Sequence, residues 1–504
     1  MRILPFGTAA RRQAIRFLIV VLFLPLLVCA KPLQDASDQA GTHRVTPHDT
    51  LLSQLAQLAR SSARLTVQTI GTTVQGRNIP LVHIPPLRPG AATKVLLFCQ
   101  QHGNEPSGKE AAVILLKSIV AGECDTLIGN LDLHIIPSVN PDGNESGKRV
   151  NANGADLNRD HLLLSQPEVR ALHATFTRLQ PEVALDVHEY SPYRRELREA
   201  GYVLTADEQF GAPSNLNVSP ALREYSLRQL LPFLERTLTK QGVRFSNYLR
   251  IQAPDDTVRY STTNINDGRQ SLAILNTLSL ILEGRNGRHL DDELDRRTSG
   301  QLAAIMAFLE FVNREHETIR SLVHAERNTI ASLTVPVVTQ MDYIFEGARI
   351  EVPVKTLSSN SDSVVSMAFA PAVKPLASVE RPAAYVVPAS QRAIRELLDR
   401  HAVRYDTVAR ASELDVEIYR VIDTAGRWME DKPSTLVTTC VRSETVSLQS
   451  GDILVPVGQP HGTMLVIALE PSSMWGIVQE KAFAGLLVKG SDYPVYRVPA
   501  KGRQ

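Results

Sequence analysis

His102 and Glu105 stand three residues apart in the run Phe98-Cys99-Gln100-Gln101-His102-Gly103-Asn104-Glu105-Pro106. An imidazole and a carboxylate at that spacing, on a loop between a short apolar run and a helical pattern, can turn toward one point and hold a metal ion. H-x-x-E recurs by chance; here glycine and proline shape a tight loop and apolar residues bury the strand beneath it. His188 can supply a third ligand, closing the apolar run Val183-Ala184-Leu185-Asp186-Val187-His188, although alone it would read as a satisfied core histidine. Asp186 and Glu189 flank it and could orient its ring through a second hydrogen bond. Two His and one Glu form a zinc set that leaves a fourth position for water, whereas a structural zinc is closed by four ligands, usually with Cys. Water activated by a metal still needs a base. Glu283 ends the apolar run Leu278-Ser279-Leu280-Ile281-Leu282-Glu283, where a carboxylate is costly unless paired or functional. The plainer reading of Glu283 is a strand-end carboxylate paired with Arg285.

Polar loops lie between these positions: Asn140-Pro141-Asp142-Gly143, then Arg149, then Asp156-Leu157-Asn158-Arg159-Asp160. A single surface Arg is ordinarily a solvated charge. An Arg beside an Asn, however, suits a planar carboxylate, which guanidinium binds in bidentate fashion. A further Arg near a metal could polarise a carbonyl and stabilise its oxyanion.

The elements that must position these residues can be read from the apolar pattern. Lys94–Cys99, Leu131–Pro137, Val183–His188 and Leu278–Glu283 are short, rich in Val, Ile and Leu, and bounded by polar loops, as buried strands are. Gly108–Val120 and Pro167–Arg178 read as helices, the second opened by a capping box from Ser165 to Glu168. Pro220–Lys240 and Asp291–Ile319 are longer helical patterns. Strands alternating with helices over about residues 46–325 predict an α/β layer structure. In open sheets of that kind, sites form at the carboxyl ends of strands. Beyond residue 326 short strand-like runs dominate, predicting a β-rich unit over 330–504.

The ordered set H-x-x-E, N-P-D-G, an Arg, an Asn-Arg pair, a His after a strand and a Glu after a strand resembles the zinc metallocarboxypeptidase family, the relatives of pancreatic carboxypeptidase A, in a bacterial exported type with a C-terminal extension. The resemblance runs over roughly residues 50–320. It implies that the 46–325 unit is a catalytic domain with a mixed sheet and helices on both faces; the smaller β-rich unit over 330–504, read as an accessory domain, lies outside the resemblance. It implies one zinc per chain on His102, Glu105 and His188, with Glu283 as general base and acid and Arg149 at the oxyanion. Asn158 and Arg159 would hold the substrate's terminal carboxylate, and Tyr260 is the candidate for the family's mobile substrate tyrosine. Arg269 falls where a side-chain pocket belongs; it reads as a surface arginine or, alternatively, as a selector of acidic side chains. The activity implied is hydrolysis of the last amide bond of a peptide with a free C-terminus by metal-activated water. The alternatives are a zinc amidohydrolase or deacylase of N-acyl amino acids, a trimming enzyme for cell-wall peptides, and a non-catalytic binding protein on the same fold.

The 504 residues, 43% of them hydrophobic, can bury a sizeable core, and 54 Lys+Arg against 53 Asp+Glu argues against a nucleic-acid partner. Arg2, Arg11, Arg12 and Arg16 precede the apolar run Phe17–Val28, and Val28-Cys29-Ala30 follows, which is the pattern of a secretory signal over 1–30, with a linker over 31–45 behind it. Removal of that signal would leave a mildly acidic, exported chain with no stable membrane span, periplasmic or secreted, and with Cys99, Cys124 and Cys440. Oligomeric state has no sequence signal.

Overall fold

In a computed structural model, the chain is described over residues 44–330, 334–430 and 432–500. The signal and most of the linker expected at the N-terminus lie outside the described residues. No described helix is long and apolar enough to cross a membrane.

An eight-stranded mixed sheet carries the first part of the chain. Its order is Thr66–Thr72, Asn78–Ile84, Leu131–Ile136, Thr93–Cys99, Val183–Tyr190, Leu278–Arg285, Glu208–Gly211 and Phe245–Asn247. The four strands expected from the apolar runs are its centre, and they are mutually parallel. Being covered on both faces, they read as continuous hydrophobic stretches rather than alternating ones. Helices Ser107–Ala121, Leu231–Lys240 and Leu294–Arg314 cover one face through Leu115, Leu234 and Phe308, while Pro167–Leu179 covers the other through Leu172 and Phe176. The carboxyl ends of the central strands therefore open at one edge of the sheet, where Gln100–Glu105, His188 and Glu283 emerge. The strand register places Glu283 directly beside His188.

Some local expectations change. No capping box opens the helix Pro167–Leu179: Gln166 is its N-cap residue without a side-chain bond, Ser165 Oγ donates instead to Asp160 Oδ1 at 2.6 Å, and Glu168 accepts from the Val74 amide at 3.1 Å. A partner just upstream and one far along the chain outcompeted the local pair. The pattern over Asp291–Ile319 divides into Leu294–Arg314 and His316–Thr329, with Glu315 between them outside helical geometry.

The later residues are β-rich, as expected. Ser412–Met429 and Lys432–Leu448 form one long hairpin within a six-stranded sheet. A separate five-stranded sheet joins the two parts of the sequence: Tyr202–Leu204, Arg349–Thr356, Asp362–Ala370, Val258–Tyr260 and Leu249–Arg250 lie side by side. Cys99, Cys124 and Cys440 form no disulfide; the first two are buried and Cys440 is exposed.

One ion pair ties a helix to the strand that carries His188. Arg297 donates to both oxygens of Glu189 at 2.8 and 3.0 Å, with both side chains almost wholly buried. Removing one partner of such a pair leaves an uncompensated buried charge. Arg297→Met is expected to lose about 3–5 kcal/mol of stability, read as a lower midpoint in a denaturant titration.

Candidate metal centre and active site

The loop after Thr93–Cys99 starts at Gln100 with a positive φ of 58°, which turns the chain sharply. Gly103 then lies against Gly143: a Cβ on Gly103 would fall 2.0 Å from the Gly143 carbonyl carbon. The Asn-Pro-Asp-Gly turn is thus a scaffold for the His102 loop. Asn140 accepts from the Gly143 amide at 2.8 Å and donates to the Gln101 carbonyl at 3.0 Å, while Asp142 accepts from Thr73 Oγ1 at 2.8 Å and the Gln75 amide at 3.0 Å.

On this support His102, Glu105 and His188 come together, all three buried. His102 Nδ1 lies 2.9 Å from Glu105 Oε1, His188 Nδ1 lies 2.9 Å from Glu105 Oε2, and the two Nδ1 atoms are 3.1 Å apart. The outer nitrogens are occupied elsewhere. His102 Nε2 is 3.0 Å from Asp156 Oδ1, and His188 Nε2 is 2.8 Å from Asp186 Oδ1. A carboxylate can only accept, so each Nε2 donates and the Nδ1 lone pairs are left to face Glu105. Lone pairs and carboxylate oxygens converging in a buried site need a cation, either a proton or a metal. Burial works against a proton on His188, but Asp186 and Glu105 outweigh it and push its pKa well up. The same two carboxylates would draw in a divalent ion. Burial also opposes the charge on Glu105, yet His102 and His188 hold it well below the usual carboxylate range. The donor set fits a catalytic zinc, with two nitrogens, one carboxylate and room for a fourth ligand.

Glu283 stands next to this group with its side chain buried. Burial pushes its pKa up to about 7; the charge of His188 opposes that rise and the charge of Glu105 assists it. Carboxyls shifted this way suit proton transfer near neutral pH. Arg149 remains about half exposed at the mouth, donating to Glu105 Oε1 at 3.2 Å and to Asp156 Oδ2 at 3.1 Å. Asn158 is buried against the metal group: its Nδ2 is 3.3 Å from His188 Nε2, and its Oδ1 accepts from the Gly268 amide at 2.8 Å. Arg159 is exposed, and its Nη1 donates to the Asn158 carbonyl at 2.6 Å. Tyr260 is not in this group; it lines a cavity with Tyr248 and Arg269, its ring edge-on to Phe369 with centroids 5.4 Å apart.

Several residues were not legible beforehand. Asp156 lies in a run the sequence singles out, but only the fold shows that it fixes His102. Gln101 donates to Asp186 Oδ1 at 2.9 Å and accepts from His161 Nε2 at 2.8 Å, which buttresses the carboxylate behind His188. Tyr248 feels the charges of Glu283, Arg269 and Arg159, although no pattern in the sequence marks it. Of the two acids flanking His188, Asp186 orients the ring, and Glu189 serves the ion pair with Arg297 instead.

Known proteins resemble this chain in sequence and in fold. Residues 51–194 match the family model described as zinc carboxypeptidase. The chain is 25% identical to "Carboxypeptidase 2" of Trichophyton rubrum, over 91% of this chain and 87% of that protein. It is 32% identical to "Carboxypeptidase E" of Caenorhabditis elegans over 121 residues, 19% of this chain and 25% of that one. Among solved structures, a metallo-carboxypeptidase from Burkholderia cenocepacia aligns with 53% of this chain and 69% of its own at 19% identity, with a TM-score of 0.42. The matched stretch, residues 51–194, includes His102, Glu105, Arg149, Asn158, Arg159 and His188; the chain carries a zinc carboxypeptidase domain there, and its carboxypeptidase relatives support a metallocarboxypeptidase enzyme.

The hydrogen bonds behind the two imidazoles generate a prediction. Residues that orient metal-bound His are typically worth about 10–100-fold in metal affinity. Asp156→Ala is expected to weaken zinc binding by that order in a chelator competition, while near-unchanged affinity would leave Asp156 a partner of Arg149 alone.

Proposed function

We propose that the protein is a zinc-dependent carboxypeptidase that removes the last residue of peptides with a free C-terminus. The observation that carries this reading is the convergence of His102 Nδ1, His188 Nδ1 and the Glu105 carboxylate on one point beside a buried, neutral-range Glu283. His102, Glu105 and His188 would hold one zinc ion per chain, and when bound it supplies Lewis-acid polarisation of the carbonyl and of water.

The chain's own residues account for the rest. Glu283 takes the proton from the attacking water and returns it to the departing amine nitrogen, as one group can when its pKa lies near the working pH. Arg149, a fixed positive charge at the cleft mouth, faces the carbonyl oxygen as negative charge develops on it. Asn158 and Arg159 receive the terminal carboxylate; Arg159 is exposed and has donors to spare. Tyr260 and Tyr248 both flank the cleft, and the charge of Glu283 reaches Tyr248. Export rests on the N-terminal pattern of Arg2 to Ala30, which points to a periplasmic or secreted enzyme.

Two outcomes test this reading. Glu283→Gln keeps the shape of the site but cannot take up a proton, so kcat is expected to fall by about 10²–10⁴-fold with zinc content unchanged by elemental analysis. A drop below about tenfold would return Glu283 to a structural role. For one peptide presented as free acid and as C-terminal amide, kcat/KM is expected to fall on the amide by at least about tenfold, because a charge-assisted pair is lost. Arg159→Ala should then lose most of its effect on the amide, since both changes remove the same contact. Equal rates on acid and amide in the wild type would instead favour the deacylase or an endopeptidase.

A further inference from the structure

A cavity of about 220 Å³ is lined in part by the strand that pairs with the one carrying Glu283. Gly211 lines it, and the strand Glu208–Gly211 runs antiparallel beside the Glu283 strand, pairing Gln209 with Glu283 and Gly211 with Ile281. Tyr248 lines it as well, and is reached by the charges of both Glu283 and Arg159. A substrate residue held at its carboxylate by Asn158 and Arg159, with its amide beside Glu283, would have this cavity as the adjoining space for its side chain. The inference therefore rests on the carboxypeptidase reading and extends it.

The charge of the cavity is unusual for a buried space. Two of its lining residues are arginines. Arg269, read from the sequence most simply as a surface residue, is completely buried. Its Nη2 donates to Ser261 Oγ at 2.7 Å and to Asp267 Oδ2 at 3.2 Å, its Nη1 reaches only the Ala212 carbonyl at 3.5 Å, and its Nε has no hydrogen-bond partner. Arg223 is half-buried. Its Nε donates to the Val218 carbonyl at 3.2 Å, and among the described residues no carboxylate pairs with it. Burial alone shifts its pKa, downward, with no nearby acid to offset the cost. Asp267 is already committed to Arg269 and to the Gln270 amide at 2.7 Å. Among the described residues, Arg223 and Arg269 are the only charged ones lining the cavity; Asp267 pairs with Arg269, and the charge of Arg223 stays uncompensated at the partly desolvated wall. Such a pocket favours an anion, and guanidinium is the group best shaped to hold a carboxylate.

The later, β-rich residues complete the enclosure. Tyr343 and Pro371–Val373 line the cavity from the side opposite the main sheet's strands. Glu430, at the tip of the long hairpin, accepts from the Thr263 amide at 3.0 Å, from Thr263 Oγ1 at 2.8 Å and from Thr262 Oγ1. Trp475 Nε1 donates to Thr263 Oγ1 at 3.1 Å. These contacts pin the segment that carries Ser261, and Ser261 in turn holds Arg269.

We propose that this cavity selects an acidic side chain, glutamate or aspartate, on the C-terminal residue of the substrate, with Arg223 and Arg269 as specificity-determining cations and the β-rich C-terminal region as its outer wall. The test uses the full-length zinc-loaded enzyme and four peptides identical except for the last residue: Glu, Gln, Phe or Lys. Glu and Gln match in size and differ in charge. The expected result is a kcat/KM for Glu over Gln on the order of ten- to a hundredfold, the range of a hydrogen bond to a charged group, with Lys the poorest substrate. Arg223→Gln should bring the Glu/Gln ratio down several-fold, and Arg223→Glu should shift the preference toward Lys, a gain that misfolding cannot imitate. Both rates of each ratio come from one preparation, so any unfolded fraction cancels. Cleavage with Gln, Phe or Lys equal to or better than Glu would overturn the acidic preference and leave the carboxypeptidase reading intact. A Glu preference unmoved by either Arg223 variant would remove Arg223 and overturn the proposal as stated. Cleavage of none of the four would overturn both readings.

Discussion

A buried carboxylate held between two imidazoles, whose outer nitrogens are each tied to another carboxylate, leaves a point that only positive charge can stabilise. Glu105 sits at that point, with Asp156 and Asp186 behind the two rings. Much of the surrounding structure serves to hold these acids in place against their own repulsion. Asn140 and Gly143 shape the seat of the His102 loop, Gln101 donates to Asp186, and Arg149 spans Glu105 and Asp156. The arrangement is costly for an empty protein and favourable for one that carries a divalent ion, as expected of a site whose binding energy offsets the strain of assembling it.

The same concentration of charge sets the chemistry next to it. Glu283 shares a register position with His188, so its carboxyl lies in the field of the metal group while being buried by the sheet and its neighbours. Desolvation and the Glu105 carboxylate push it up, and the imidazoles and Arg149 pull it down. Two neighbouring Glu residues are thus driven to opposite protonation behaviour by environment alone, which suits one to hold a cation and the other to carry a proton.

The β-rich residues after 330 are built into the enzyme rather than attached to it. Arg349–Thr356 and Asp362–Ala370 share a sheet with strands from the 200–260 segment, and Glu430 and Trp475 hold Thr262 and Thr263 in place. The segment between His188 and Glu283 is long, with few regular elements of its own around 250–267, and this later region supplies the partners it lacks. That explains how an extended loop region can still form a defined wall near the Glu283 strand.

Legible in the sequence were the central parallel strands, the candidate His102-Glu105-His188 cluster and the carboxylate beside it. Buried parallel strands are written as unbroken runs of Val, Ile and Leu, and a residue at the end of such a run is placed at the sheet's carboxyl edge by the strand alone. His188 and Glu283 could be found in that way, and His102 and Glu105 by their local spacing. What the tertiary structure decided are the interactions between residues far apart in the chain. Asp156 behind His102, Gln101 behind Asp186 and Arg297 on Glu189 each need a distance that no local pattern encodes. The capping box at Ser165 failed because Asp160, just upstream, takes the Ser165 hydroxyl, while the distant Val74 amide takes Glu168. Arg269 shows the difference most directly. A charged side chain in a polar stretch reads as surface, and it became the most deeply buried cation of the cavity only because Asp267, Ser261 and the β-rich region closed around it.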